Sequence, residues 1–179
     1  MQDLASLVGV LATASLGLSA GALLAEAGVL VPFWRSESPE SFLAWYKRYA
    51  ALLLSFFGPL EVASGVLVVV ATAFAWAGFL PGRFLFTACA LLTVAVLASF
   101  PLYFRSANAS FESGSIEEAN VPSELQRWAT WHWGRTILAI IAFLLSAVAL
   151  AYPDGTPAVH EGTAANHQQL RPEEGSAEP

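Results

Sequence analysis

Chemistry in this chain concentrates in RWATWHWGR, Arg127 to Arg135. At about 100° per residue, Trp128, Trp131, His132 and Arg135 fall on one helical face, continued by Ala139, Ala142 and Ser146. Trp133 points the opposite way, toward lipid headgroups. An imidazole can take a proton near neutral pH, and a fixed guanidinium can stabilise a delocalised anion in a low-dielectric pocket. Two indoles on the same face offer flat apolar walls. Further ionisable or polar candidates lie elsewhere in the chain: Glu26 inside an apolar run, Glu61, Arg105 and Asn108. Ionisable groups at membrane depth are costly, so they pair with one another or line a cavity. A Glu26–Arg135 ion pair that merely closes the bundle is the structural alternative to a functional site.

The elements that must position these residues are apolar helices. The stretch from Ser123 to Tyr152 opens with a capping box, Ser123 with Gln126, preceded by Pro122 and followed by Glu124 in the first turn. From Thr136 to Ala151 no side chain is charged, which places the second half of this helix in hydrocarbon. A first helix is expected from Leu4 to Val31, with Ala12, Ser15, Ser19, Ala22 and Glu26 as a small-residue stripe and Pro32 as its end. Neither a basic n-region nor a short h-region opens the chain, so this segment reads as a membrane helix rather than a signal peptide.

Ser38-Pro39-Glu40 starts a helix rich in aromatic and basic residues. It is expected to lie in the interface and break at Gly58-Pro59; the alternative is one long span bent there. Helix 2 then runs from Pro59 to about Leu80, with Glu61 in its first turn. Pro81-Gly82 links it to helix 3, Phe84 to Phe104, and a polar lid or cap follows from Arg105 to Pro122. Trp34, Trp45 and Trp133 read as belt residues. The expected fold class is therefore all-α: an integral membrane four-helix up-down bundle, with an interfacial helix between helices 1 and 2. That topology gathers Glu26, Glu61, Arg105, Asn108, Arg127, His132 and Arg135 at one end.

Composition agrees with a membrane protein: 56% of residues are apolar, 12% are charged, and the mean hydropathy is +0.57. Much of the net charge of −6 lies in residues 153–179, an acidic segment of disordered-type composition. That tail is expected to add nothing to the stability of the 1–152 domain. No basic surface suits nucleic acid. Cys89 is the single cysteine, which excludes an intrachain disulfide and reads as a small core hydrophobe. No Glu-x-x-His pair occurs on any helix, so a Glu26, Glu61, His132 metal site is a weak candidate, and no metal or cofactor is expected. The triplet Asn108-Ala109-Ser110 matches a glycosylation sequon of low information content.

The segments GALLAEAGVLVPFW, FFGPL, FPLYFRSANASF and RWATWHWGRT resemble the small four-helix membrane proteins related to anthrone oxygenase, over roughly residues 10–150. The resemblance implies a four-helix integral membrane protein. It further implies oxidation of a lipophilic phenolic substrate by dioxygen without a cofactor. By position, Trp128, His132 and Arg135 match the pattern, with the Asn108 region beside them; Glu26 and the acidic tail do not belong to it. In that reading His132 is the general base, Arg135 holds the anion, Glu26 orients or balances them, and Trp128, Trp131, Asn108, Arg105 and Glu61 bind substrate. The alternative is a non-catalytic accessory subunit of a respiratory or photosynthetic complex, packed against quinone, pigment or partner membrane subunits and docked through its tail. A bacterial inner membrane is the expected location. Arg35, Lys47, Arg48, Arg105, Arg127 and Arg135 lie on the side of the long loops, against Arg83 and Arg171 opposite, which puts the termini outside the cytoplasm.

Overall fold

The computed structural model describes residues 2–151, and the expected tail from residue 153 onward lies outside them. Among the described residues every element is helical. Four helices account for most of the described residues: α1 (Asp3–Ser36), α2 (Pro39–Ala77), α3 (Arg83–Ser113) and α4 (Glu118–Ala151). Each is long and apolar enough to cross a membrane. The helices pack α1 on α2, α2 on α3, α3 on α4 and α4 on α1.

Two expected breaks are absent, both at prolines. Pro32 does not end α1; the helix widens into a π-turn at Glu26–Leu30 and resumes over Val31–Ser36. A prolyl nitrogen cannot donate to the carbonyl four residues back. Here the Val31 N–H reaches Glu26 O, five residues back, and the wide turn takes up the defect. The same device recurs in α3, where a π-turn at Phe100–Phe104 contains Pro101 and the Arg105 N–H bonds to Phe100 O. At the second expected break, α2 runs unbroken through Gly58 and Pro59, as in the alternative of one long span, so no separate interfacial helix exists between the first two long helices. Glycine before proline removes the Cβ that would meet the ring, and the apolar flanks keep the helix preferable to exposed backbone. Glu61 therefore sits inside a long helix rather than in a first turn.

The expected lid from Arg105 to Pro122 is also mostly helix. α3 continues to Ser113 and ends on Gly114, left-handed at φ 67°. Gly114 N–H bonds Phe111 O and Ser115 N–H bonds Ser110 O, the paired closure of a Schellman motif. A short 3₁₀ turn, Glu118–Asn120, leads into the α-helical part of α4 at Val121. Ser123 is thus inside the helix, donating back to Asn120 O at 2.9 Å, and not its cap. Between α2 and α3 the turn closes in the same way, except that Phe79, at φ 51°, stands where glycine is usual.

Small residues line the contacts between helices. Ala12, Ser19, Ala20, Ser64, Ala71, Ala139, Ala142 and Ser146 are buried, and large apolar side chains such as Leu18, Val29, Leu52, Leu91 and Ile137 face outward. That inversion of the soluble pattern suits a hydrocarbon surround, where close backbone approach drives association. Ser64 Oγ donates to Ser15 O across the α1–α2 contact, and Cys89 Sγ to Ala142 O across α3–α4. One end of the bundle closes over an aromatic cluster that includes Trp34, Phe42, Tyr46, Phe104, Phe111 and Trp128. Trp34 is 1% exposed within it, so it is a core residue and not part of a belt.

Candidate functional site

The π-turn of α1 presents Glu26 inward, and α4 presents His132 and Arg135 one helical turn apart. Arg135 Nη2 meets Glu26 Oε2 at 3.2 Å, and Arg135 Nε donates to His132 Nδ1 at 3.0 Å. Nδ1 is thereby the acceptor, so the proton sits on Nε2, which donates to Leu23 O at 3.0 Å. Glu26 Oε2 lies 3.7 Å from Nδ1, too far for a hydrogen bond; the shared guanidinium brings the two together. Aromatic faces complete the setting. The Trp128 ring stacks on His132 at 4.9 Å, and Phe104, at the end of the α3 π-turn, lies 4.2 Å from the Arg135 guanidinium carbon. Both π-turns thus deliver a residue to Arg135.

A cleft of about 590 Å³ opens beside this group. Its walls are apolar residues of α2 and α3, among them Leu53, Phe57, Val96 and Phe100. Its polar end contains Glu26, Glu61, Arg135, Arg105, Asn108 and Glu112. Glu61, 9% exposed, accepts a 2.7 Å hydrogen bond at Oε1 from Ser19 Oγ. Asn108 accepts from Trp128 Nε1 at 2.9 Å, so its amide is an inward structural group in a helix and not a displayed sequon. The arrangement offers two guanidinium cations, Arg135 with Nη1 unbonded among the described residues and Arg105, several carboxylates and an apolar-walled volume beside them.

Not every expected site residue arrives there. His132 is fully buried and does not line the cleft, and both its nitrogens are engaged, which removes the geometry of a general base. Trp131 is 41% exposed and stacks on Tyr103 at 5.1 Å, outside the cleft. It stands about 60° round the helix from Trp128, enough to leave the inward stripe. Arg127 lies on that outer side too, over the Tyr103 ring, whose hydroxyl bonds Glu124 at 2.7 Å. Glu26, Glu61 and His132 do not form a metal-binding group; among the described residues no cluster of three such ligands occurs.

Sequence reading missed Ser19 as a partner of Glu61, Tyr46 and Glu112 as lining groups, and Phe104 as a partner of Arg135. Ser19 had a signal, since it lies two turns before Glu26 on the same stripe. Tyr46 had none, because its segment read as interfacial. Searched against family models, curated proteins and solved structures, the chain finds no match in any of the three.

Proposed function

We propose that this chain is an integral membrane protein, its helices crossing up and down. In this reading it takes a flat, lipophilic, weakly acidic molecule of the phenol or anthrone class into the cleft and oxidises it with dioxygen. One observation carries the reading: a cleft of about 590 Å³ with apolar walls that ends on Arg135 and its carboxylate neighbours. In this scheme fused rings lie between Phe57 and Phe100, with an oxygen substituent toward the Arg135 guanidinium. Loss of a proton gives a delocalised anion, which a desolvated fixed cation stabilises far better than water does. The anion reduces dioxygen: a methylene becomes a carbonyl, one oxygen atom stays on carbon, and the other leaves as water with both hydrogens.

His132 is a positioning residue in this scheme, holding the guanidinium from below while Glu26 holds it from the side. The resemblance to the anthrone oxygenase-like proteins points the same way. We place the chain in the inner membrane of a bacterium, with the termini on the side that the lysine and arginine distribution puts outside the cytoplasm. An accessory subunit would favour a sealed polar cluster, and an open cleft speaks for a ligand instead.

The test is oxygen uptake by detergent-purified protein supplied with anthrone. Wild type should consume oxygen, and Arg135→Met should lower the rate about 10²–10³-fold, the usual loss for an anion-stabilising donor. Absence of uptake by wild type, with anthrone demonstrably bound, would overturn the oxidation.

A further inference from the structure

Resting on that reading, we propose that Glu61 is the group that takes the proton from the bound ligand, with Ser19 as its positioning residue. Four side chains in or beside the cleft could accept a proton, and one of them, Glu112 of α3, is exposed, where water competes for its oxygens. His132 Nδ1 is filled by Arg135 Nε, its Nε2 carries the proton given to Leu23 O, and the ring has no cleft surface. Glu26 has Oε2 committed to the Arg135 guanidinium at 3.2 Å. Glu61 combines a place on the cleft wall, burial from water and a charge not already paired with Arg135. Oε1 accepts from Ser19 Oγ, Oε2 takes no hydrogen bond among the described residues, and no cation stands within ion-pair distance of it there.

The placement is also right. Glu61 follows Phe57 by one turn of α2, so the carboxylate lies on the face that carries the apolar wall. A ring system against Phe57, with its oxygen toward Arg135, turns an edge toward Glu61. The C–H electron pair stays with the ligand as the delocalised anion, and the proton passes to Oε2. Glu61 then returns that proton to reduced dioxygen as water forms, which restores the carboxylate. Ser19 donates to Oε1 throughout and fixes the direction in which Oε2 points.

The experiment uses full-length protein in detergent with anthrone as the probe, first under nitrogen. Wild type should show the long-wavelength absorption of the anthrone anion; Glu61→Gln should keep the ligand-induced thermal shift and lose the absorption. In air the same variant should slow oxygen uptake about 10²–10⁴-fold, the usual share of a general base. Ser19→Ala should fall between the two. If Glu61→Gln does not fold, infrared difference spectra replace it: anthrone should induce a protonated-carboxyl band that moves in Glu61→Asp. An anion band that persists in Glu61→Gln, an infrared band unmoved in Glu61→Asp, or anthrone bound to wild type only in neutral form would overturn the assignment. An anion band dependent on Glu61 without oxygen uptake in air would sustain it while sinking the oxidation. No binding of anthrone at all would overturn both.

Discussion

Arg135 is held by a carboxylate, an imidazole and an aromatic face, and removing each should fail differently. Arg135→Ala strands Glu26 in a site that is 4% exposed. Breaking a buried pair from one side typically costs about 3–5 kcal/mol. Arg135→Met combined with Glu26→Gln should therefore recover much of the loss in a detergent melt. Small, equal and additive losses for the two residues would show that they do not couple. His132→Phe keeps the ring but leaves the Arg135 Nε–H without its acceptor and Leu23 O without its side-chain donor, a cost of roughly 2–4 kcal/mol. His132→Gln still offers an acceptor and a donor and should melt closer to wild type; identical losses for both would show that the ring's packing matters and its nitrogens do not. The meeting of Glu26, His132 and Arg135 was legible in the sequence, because buried charges must pair and topology brought their helix ends together. Their division of labour was not. A helical wheel places Trp131 and Trp128 within one broad stripe, and only the packed neighbours separate the one on Tyr103 from the one on His132.

Helix existence was easy to read and helix ends were not. Four long apolar runs announce four helices, yet Pro32 suggested an end and Gly58-Pro59 a break or a bend. In water a proline inside a helix costs about 3 kcal/mol. In apolar surroundings the open alternatives expose more unsatisfied backbone, so the chain keeps the helix and absorbs the defect in a π-turn. The two π-turns, beside Pro32 and around Pro101, are where Glu26 and Phe104 are aimed, so these irregular turns mark the site itself. Elsewhere the irregularity has no such use. Phe79 is left-handed and 78% exposed, and its ring lies 5.9 Å from the Arg83 guanidinium carbon. A left-handed non-glycine residue costs about 1–2 kcal/mol, against which one exposed cation–π contact offsets little. Phe79→Gly should raise stability by about 1 kcal/mol, read as a higher melting temperature at unchanged oxygen uptake. A lower melting temperature would show that the ring anchors this turn.

At the scale of the molecule, the small residues sit inside and the large apolar ones outside, so the surface matches hydrocarbon. That arrangement was legible from composition alone. The cleft was not, because it needs α2 to stay helical through Gly58-Pro59: an interfacial helix that broke there would have carried Tyr46 and Leu53 away from Glu61. The end of the bundle is capped by rings, Trp34 stacking edge-on to Trp128 at 5.5 Å, and this cap leaves the side between α2 and α3 as the open wall of the cleft. On the membrane reading proposed above, a lipophilic ligand that enters between α2 and α3 would arrive sideways from the bilayer.

The lone thiol has a practical consequence. Cys89 is 0% exposed, and its sulfur is already donating to Ala142 O. Folded wild-type protein should therefore resist maleimide, and the natural chain is its own cysteine-free background for labelling. A cysteine placed at Phe79 should react from one side of intact vesicles and one at Ser115 from the other, which reports the sidedness that the arginine distribution implies. Reaction of unmodified protein without denaturant would mean that the α3–α4 seam opens on the timescale of the reagent.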